Sequence, residues 1–194
     1  GDINGALNAF SDHQSGDEAD RQLIQLIKLT NIAYISAQRG QLQQARETYD
    51  RAAAALHLSR HKDHLRLVTG VIATGIGELE LEWNRLEAAE YHLREGQRIC
   101  LPWRQLVPHM PGYFLLAKAR ALLGDLNGAQ AAIHLLEDEI YAAPYRFPLT
   151  YLRGLAVQFE LTQGNLDAAR HWQRTSGITV HDQPQPLFTF EYFT

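Results

Sequence analysis

One short pattern returns five times along the 194 residues: "GDINGA" from residue 1, "GQLQQA" from residue 40, "NRLEAA" from residue 84, "GDLNGA" from residue 124 and "GNLDAA" from residue 164. With Gly1, Gly40, Asn84, Gly124 and Gly164 as origins, the spacings are 39, 44, 40 and 40 residues. Periods of that size belong to solenoids and other arrays. Two residues after each origin stands an aliphatic side chain, Ile3, Leu42, Leu86, Leu126 or Leu166, and five after it an alanine, Ala6, Ala45, Ala89, Ala129 or Ala169. A position held to alanine in every copy has no room for more.

The flanks give the reason. Before Gly40, Leu26, Leu29, Ile32, Ala33 and Ser36 fall at helical spacing, and after it Leu42, Ala45, Tyr49, Ala52 and Leu56 do the same. The unit is a helical hairpin whose origin glycine can take the positive φ that ends a helix. Seven residues before the origins, Ala33, Gly77, Ala117 and Val157 face the alanine row, Val157 being the bulkiest. All seven prolines fall between the second helix of one unit and the first turns of the next, where a missing N–H costs little. Helices are expected over 3 to 14, 18 to 39, 42 to 59, 63 to 82, 86 to 99, 106 to 123, 126 to 142, 147 to 163, 166 to 176 and from 186 onward, with no strand. A lone hairpin cannot bury both faces, so stability must come from stacking on its neighbours. Residues 1–194 are therefore expected to form a single array, cut within the repeats at both ends, since "LFTFEYFT" at 187–194 starts an apolar helix without a following partner.

The turn, the five-later alanine and the aromatic or aliphatic residue nine after the origin (Phe10, Tyr49, Leu93, Ile133) resemble tetratricopeptide repeats. The long period narrows the resemblance to the sensor solenoid of MalT-like, LuxR-type transcriptional regulators, carried by "GIGELELEWNRLEAAEYHLREGQRI" at 75–99, "GNLDAARHWQRTSGI" at 164–178 and "FTFEYFT" at 188–194. The resemblance implies an all-α, right-handed α-solenoid of tetratricopeptide-like hairpins in a cytoplasmic regulator. There the solenoid senses an effector, while ATP binds a separate domain of the parent chain and a carboxyl-terminal helix-turn-helix binds DNA. Partners implied are a small-molecule or peptide effector, the other domains of the parent and a second copy in self-association. Two departures stand out: Asn84 replaces the turn glycine, and Gln173 stands where the other copies carry an aromatic or aliphatic residue.

Composition agrees with a folded, 45% hydrophobic chain of net charge −4, which lacks the clustered Lys and Arg that direct contact with nucleic acid requires. Cys100 is the only cysteine, so no intrachain disulfide forms. No apolar run is long enough for a membrane span.

First helices of stacked hairpins line the inner wall, so polar residues recurring at one phase of them are the candidate ligand contacts. Six before the origins stand Tyr34, Glu78, Lys118 and Gln158; neighbouring inward phases add Thr30, Thr74, Phe114 and Tyr151, and Gln38, Glu82 and Thr162 lie near the helix ends. Aromatic walls with a few charged or amide groups suit a small metabolite or a peptide. The competing reading is that Glu78 and Lys118 pair across adjacent units and the rest face water. A second function, a scaffold gripping a protein or peptide partner without a transcriptional role, uses the same wall.

Other features are weaker. "HLSRHKDH" spaces His57, His61 and His64 for zinc only if one helix runs through it, and it falls at a unit junction. Cys100 as a nucleophile needs an oriented base, and a packed thiol is the simpler reading. "TGIGE" lacks the GK[ST] of a phosphate loop, and no cofactor is expected in this chain. Of Glu78, Glu80 and Glu82, helix geometry turns Glu80 away from the other two. Arg94, Arg98 and Arg104 beside Trp103 form either a small docking site or an ordinary junction. No enzyme is expected.

Overall fold

The computed structural model describes residues 18–59, 65–101, 111–142 and 149–177. Among the described residues are eight helices and no strand: α1 Glu18–Gln38, α2 Leu42–Leu58, α3 Arg66–Glu82, α4 Leu86–Cys100, α5 Pro111–Leu122, α6 Leu126–Ala142, α7 Leu149–Thr162 and α8 Leu166–Ser176. Each ends within one residue of its expected end. The helices expected over 3 to 14 and from 186, and the residues His61, His64, Trp103 and Arg104, lie outside the described residues.

The four described turns share one construction. Gly40, Gly124 and Gly164 have φ of 76°, 85° and 81°, and Asn84, the one non-glycine residue at positive φ among the described residues, has 57°. Asparagine reaches the left-handed region because its short polar side chain tolerates it. The N–H after each origin then bonds back to a carbonyl five residues earlier: Gln41 to Ser36 at 2.9 Å, Arg85 to Glu80 at 2.8 Å, Asp125 to Arg120 at 2.9 Å and Asn165 to Glu160 at 3.0 Å. With the shorter bond from the origin N–H itself, this closes a Schellman motif at the end of every first helix. The next helix leaves at once, capped in the last two hairpins by Asp125 Oδ1 accepting from the Gly128 N–H and Asn165 Oδ1 accepting from the Ala168 N–H.

Small residues bring the paired helices together. Ala33, Ala45, Ala89, Ala117 and Ala129 are completely buried. Gly77 is tighter still: a β-carbon there would lie 2.6 Å from Leu93 Cγ and 3.1 Å from the Leu93 nitrogen, so α3 and α4 meet over bare backbone. The fifth copy is looser. Val157 and Ala169 are only half-buried, Gln173 points to solvent, and a hollow of about 360 Å³ opens among Val157, Leu161, Leu166, Ala169 and Trp172. Tyr49, Leu93 and Ile133 fill the equivalent space in the other hairpins, at 3%, 0% and 1% exposure.

Hairpins α1–α2, α3–α4, α5–α6 and α7–α8 stack in chain order, each second helix packing on the first helix of the next hairpin. The first helices also touch in succession, α1 to α3 to α5 to α7, which makes them a continuous wall. Stacking register is marked by charge. Arg46, six residues after its origin, donates to Glu80, four before the next; one unit later the signs are exchanged, with Glu90 accepting from Arg120 at 3.2 Å. Glu80 has a side chain 6% exposed and also accepts from Arg85 at 3.4 Å. A hairpin slipped by one unit would set like charges together, so the exchange favours the native order.

Candidate functional site

The inner-phase residues come from one face of the first helices, and the structure divides them into two groups. Gln38 at the end of α1, Glu82 at the end of α3 and Lys118 on α5 all act on Glu78 of α3, while Tyr34 on α1 acts on the Tyr49 hydroxyl. Gln38 Nε2 donates to Glu78 Oε1 at 3.4 Å across the two hairpins, and Glu82 and Lys118 both act on the Glu78 charge. Gln158 and Thr162 on α7 are exposed further along, with the Thr162 hydroxyl bonded to the Phe159 carbonyl at 2.6 Å. Thr30 and Thr74 sit deeper. Thr30 is buried and donates to the Ile27 carbonyl at 2.9 Å. The Thr74 hydroxyl turns into the α3–α4 seam against Gly96 and has no hydrogen-bond partner among the described residues. Phe114 packs against the core of the second and third hairpins, and the Tyr151 side chain lies outside what the structure describes.

The environment of Glu78 differs from those of Glu80 and Glu90. Glu80 and Glu90 each hold an arginine. Glu78 is half-buried, its one hydrogen bond comes from a neutral amide, and among the described residues neither Lys118 nor Glu82 closes an ion pair or hydrogen bond. The expected Glu78–Lys118 pair therefore does not form as a contact, although the lysine still attracts the carboxylate through space. Burial first and the Glu82 charge second push the Glu78 carboxyl above the ordinary glutamate range, with Lys118 and Gln38 opposing them. Glu80 points to the other side of α3, as helix geometry requires.

One contributor comes from a second helix. Tyr49 on α2 is 3% exposed, and the Cζ and hydroxyl end of its ring crosses α3 at Gly75, where a β-carbon would fall 2.2 Å from Cζ and 2.3 Å from the hydroxyl oxygen. Gly75 is what lets the phenol pass between helices toward the wall. Burial first, then the charges of Glu78 and Tyr34, raise the Tyr49 hydroxyl above its ordinary value, so the phenol stays neutral. The first glycine of "TGIGE" was visible in the sequence, but its partner, Tyr49 on the preceding helix, was not.

The remaining candidates are quiet. Cys100 is completely buried, its thiol pushed up to about 11 by burial, and its nearest acceptor, the Leu67 carbonyl, is 4.0 Å away. Such a thiol is a poor nucleophile. His57 is exposed at the end of α2, and the described residues contain no cluster of metal-ligating side chains. Arg94 and Arg98 pair along their own helix with Glu90 and Glu95. No described helix is long and apolar enough to cross a membrane.

A model of the MalT-like TPR region matches residues 1–193. The chain belongs to that family. A TPR region is a scaffold of helical repeats, a type of domain associated with protein or peptide interaction. No curated protein and no solved structure gave a match.

Proposed function

We propose that this MalT-like TPR region is the effector-sensing solenoid of a cytoplasmic LuxR-type transcriptional activator. It binds a small molecule or peptide on the wall of first helices and passes the result to domains that bind ATP, self-associate and engage DNA. The observation that carries the reading is the family match over residues 1–193, which spans every hairpin. Glu78 on α3 supports it, a half-buried carboxylate that accepts from Gln38 on α1 and feels Lys118 on α5, so groups from three hairpins act at one place. A ligand that touches three hairpins at once favours one curvature of the array over another, and that differential affinity is what switching requires.

The test is a transcription reporter driven by the parent regulator. Glu78→Ala and Lys118→Ala should each weaken the response to inducing conditions while circular dichroism and melting of the purified region stay close to wild type. A full response from both variants would remove the wall as the sensing surface.

A further inference from the structure

We propose that the hollow between α7 and α8 is a seat for a small organic acid, one carboxylate on a compact apolar body such as a branched chain or a single ring. The hollow is separate from the wall around Glu78, and the inference does not depend on the sensor reading.

Three observations on the fourth described hairpin support it. The first is a space that the fold fills elsewhere. Nine residues after the turn, the other described hairpins carry Tyr49, Leu93 and Ile133 in the core, whereas Gln173 turns to solvent and leaves about 360 Å³ open. Ligand pockets run from about 300 to 1,000 Å³, so this one suits a small molecule. Its walls are apolar, with Val157 and Leu161 of α7 facing Leu166 and Ala169 of α8. The second is the sign of its polar groups. Arg170 is the one charged residue among the described lining, and Gln158 and Gln173 add amides, so every polar side chain there can donate and none is a carboxylate. Arg170 is exposed and bonds Asp167, itself exposed, at 3.1 Å along the helix, a pair that competes weakly with a ligand's carboxylate. The third is Trp172. Its indole lines the hollow with Cζ2 and Cε2 at 3.3 and 3.8 Å from where a β-carbon on Gly154 would stand, and Gly154 lines the hollow too. Cε2 carries the ring nitrogen, whose N–H is closed off from solvent and has no acceptor among the described residues. A buried donor left without an acceptor is costly, and a ligand oxygen laid against the bare backbone of Gly154, with a small turn of the ring into the open space, supplies one. An apolar chamber with an orphaned donor inside and a guanidinium at its rim has the polarity of a carboxylate site.

The test uses the 194-residue chain, isotope-labelled, with 4-methylpentanoate and 3-phenylpropanoate as probes and 3-phenylpropanamide as the neutral isostere. The acids should shift the backbone amides of residues 154–161 and 166–173 and the Trp172 indole N–H, identified by its loss in Trp172→Phe. The neutral amide should bind roughly tenfold more weakly, the loss of one charge-assisted contact. Arg170→Gln should bring acid and amide level, whereas Arg174→Gln, exposed on the same helix outside the lining, should keep the preference. Gln173→Leu should abolish binding without lowering the melting temperature, because the leucine occupies the space. Equal binding of acid and amide to wild type, or undiminished binding by Gln173→Leu, would overturn the proposal. So would the absence of any shift, since the hollow would then be closed to small acids. Tighter binding of acetyl-glycyl-leucine than of 4-methylpentanoate would transfer the seat to a peptide carboxyl terminus and refute the small-acid assignment. None of these outcomes bears on the reporter response of Glu78→Ala and Lys118→Ala, by which the sensor reading stands or falls separately.

Discussion

Gly75→Ala should destabilise the array even though alanine is the better helix former. A β-carbon at residue 75 would stand 2.2 Å from Tyr49 Cζ, 2.3 Å from its hydroxyl oxygen and 2.8 Å from Cε1. Carbon atoms in contact settle at about 3.5 to 4.0 Å, so the phenol must retreat by roughly 1.5 Å. It has little room to do so, being 3% exposed and packed in one cluster with Ala33, Ala52, Ile72 and Ile76. Overpacking of this kind costs about 1 to 3 kcal/mol. The helix gains about 1 kcal/mol from replacing glycine. A net loss of up to about 2 kcal/mol follows. Tyr49→Leu alone should also destabilise, by about 2 kcal/mol, because the outer half of the ring leaves a void. In that background the new methyl enters the void, so Gly75→Ala becomes neutral or stabilising. Urea unfolding of the four proteins gives a coupling energy, expected at about 1 to 3 kcal/mol. Additivity within about 0.5 kcal/mol would refute the argument that Gly75 exists to pass the phenol.

Arg46→Ala should cost about 2 to 4 kcal/mol in urea unfolding, since it leaves Glu80 enclosed with only the longer Arg85 contact. Glu80→Gln should cost less, because Arg46 keeps Asp50 at 3.0 Å, and equal losses would contradict this account of the ladder. Glu78 makes a pH prediction of opposite sign to the usual carboxylate. Its folded value is raised, so the folded state binds the extra proton, and stability falls as pH rises from the ordinary value of 4.5 through the raised one. Melting temperatures of wild type and Glu78→Gln should therefore converge in acid and separate toward neutrality, with the glutamine variant the more stable; Glu82, Lys118, Gln38, Tyr34 and Tyr49 remain the same in both. Gln173→Leu should raise stability by about 1 kcal/mol in thermal melts by filling the hollow beside Val157 and Ala169, and a variant no more stable than wild type would show that the hollow does not accept an aliphatic side chain.

The architecture was legible because it rests on local rules repeated at a fixed interval. Gly40, Asn84, Gly124 and Gly164 each needed a left-handed turn, and Ala45, Ala89 and Ala129 each needed a close helix contact; both demands leave residue types at one phase. The weak fifth copy was legible for the same reason, at Gln173 and Val157. The site was harder to read. Helical phase put Tyr34, Glu78 and Lys118 on one row, but phase says nothing of distance, and the lysine acts on Glu78 without contact. Thr74 shares the inward side of α3 yet turns its hydroxyl into the seam at Gly96, because a glycine on the partner helix leaves space there. Tyr49 was assigned to the core by its spacing, which is correct for its ring and misses its hydroxyl. Its reach depends on the missing side chain of Gly75, a contact between helices that no single-helix pattern records. The exchanged charges of Arg46, Glu80, Glu90 and Arg120 stand at matching phases in the sequence, but their pairing becomes apparent only when adjacent hairpins are stacked.

The central claim is that the wall of first helices carries the signal, and thiol footprinting in cells tests it without knowledge of the effector. Cys100 is buried and poorly ionised, so within residues 1–194 an introduced cysteine is the one reactive thiol, and its labelling is read on the proteolytic fragment that carries it. Leu122→Cys places a thiol on the inner phase of α5, where Leu122 is 56% exposed, and Arg51→Cys places one on the exposed side of the second helix α2. Under inducing conditions maleimide labelling at residue 122 should slow severalfold while labelling at residue 51 stays constant. Equal labelling at residue 122 in both states, or protection confined to residue 51, would contradict the account.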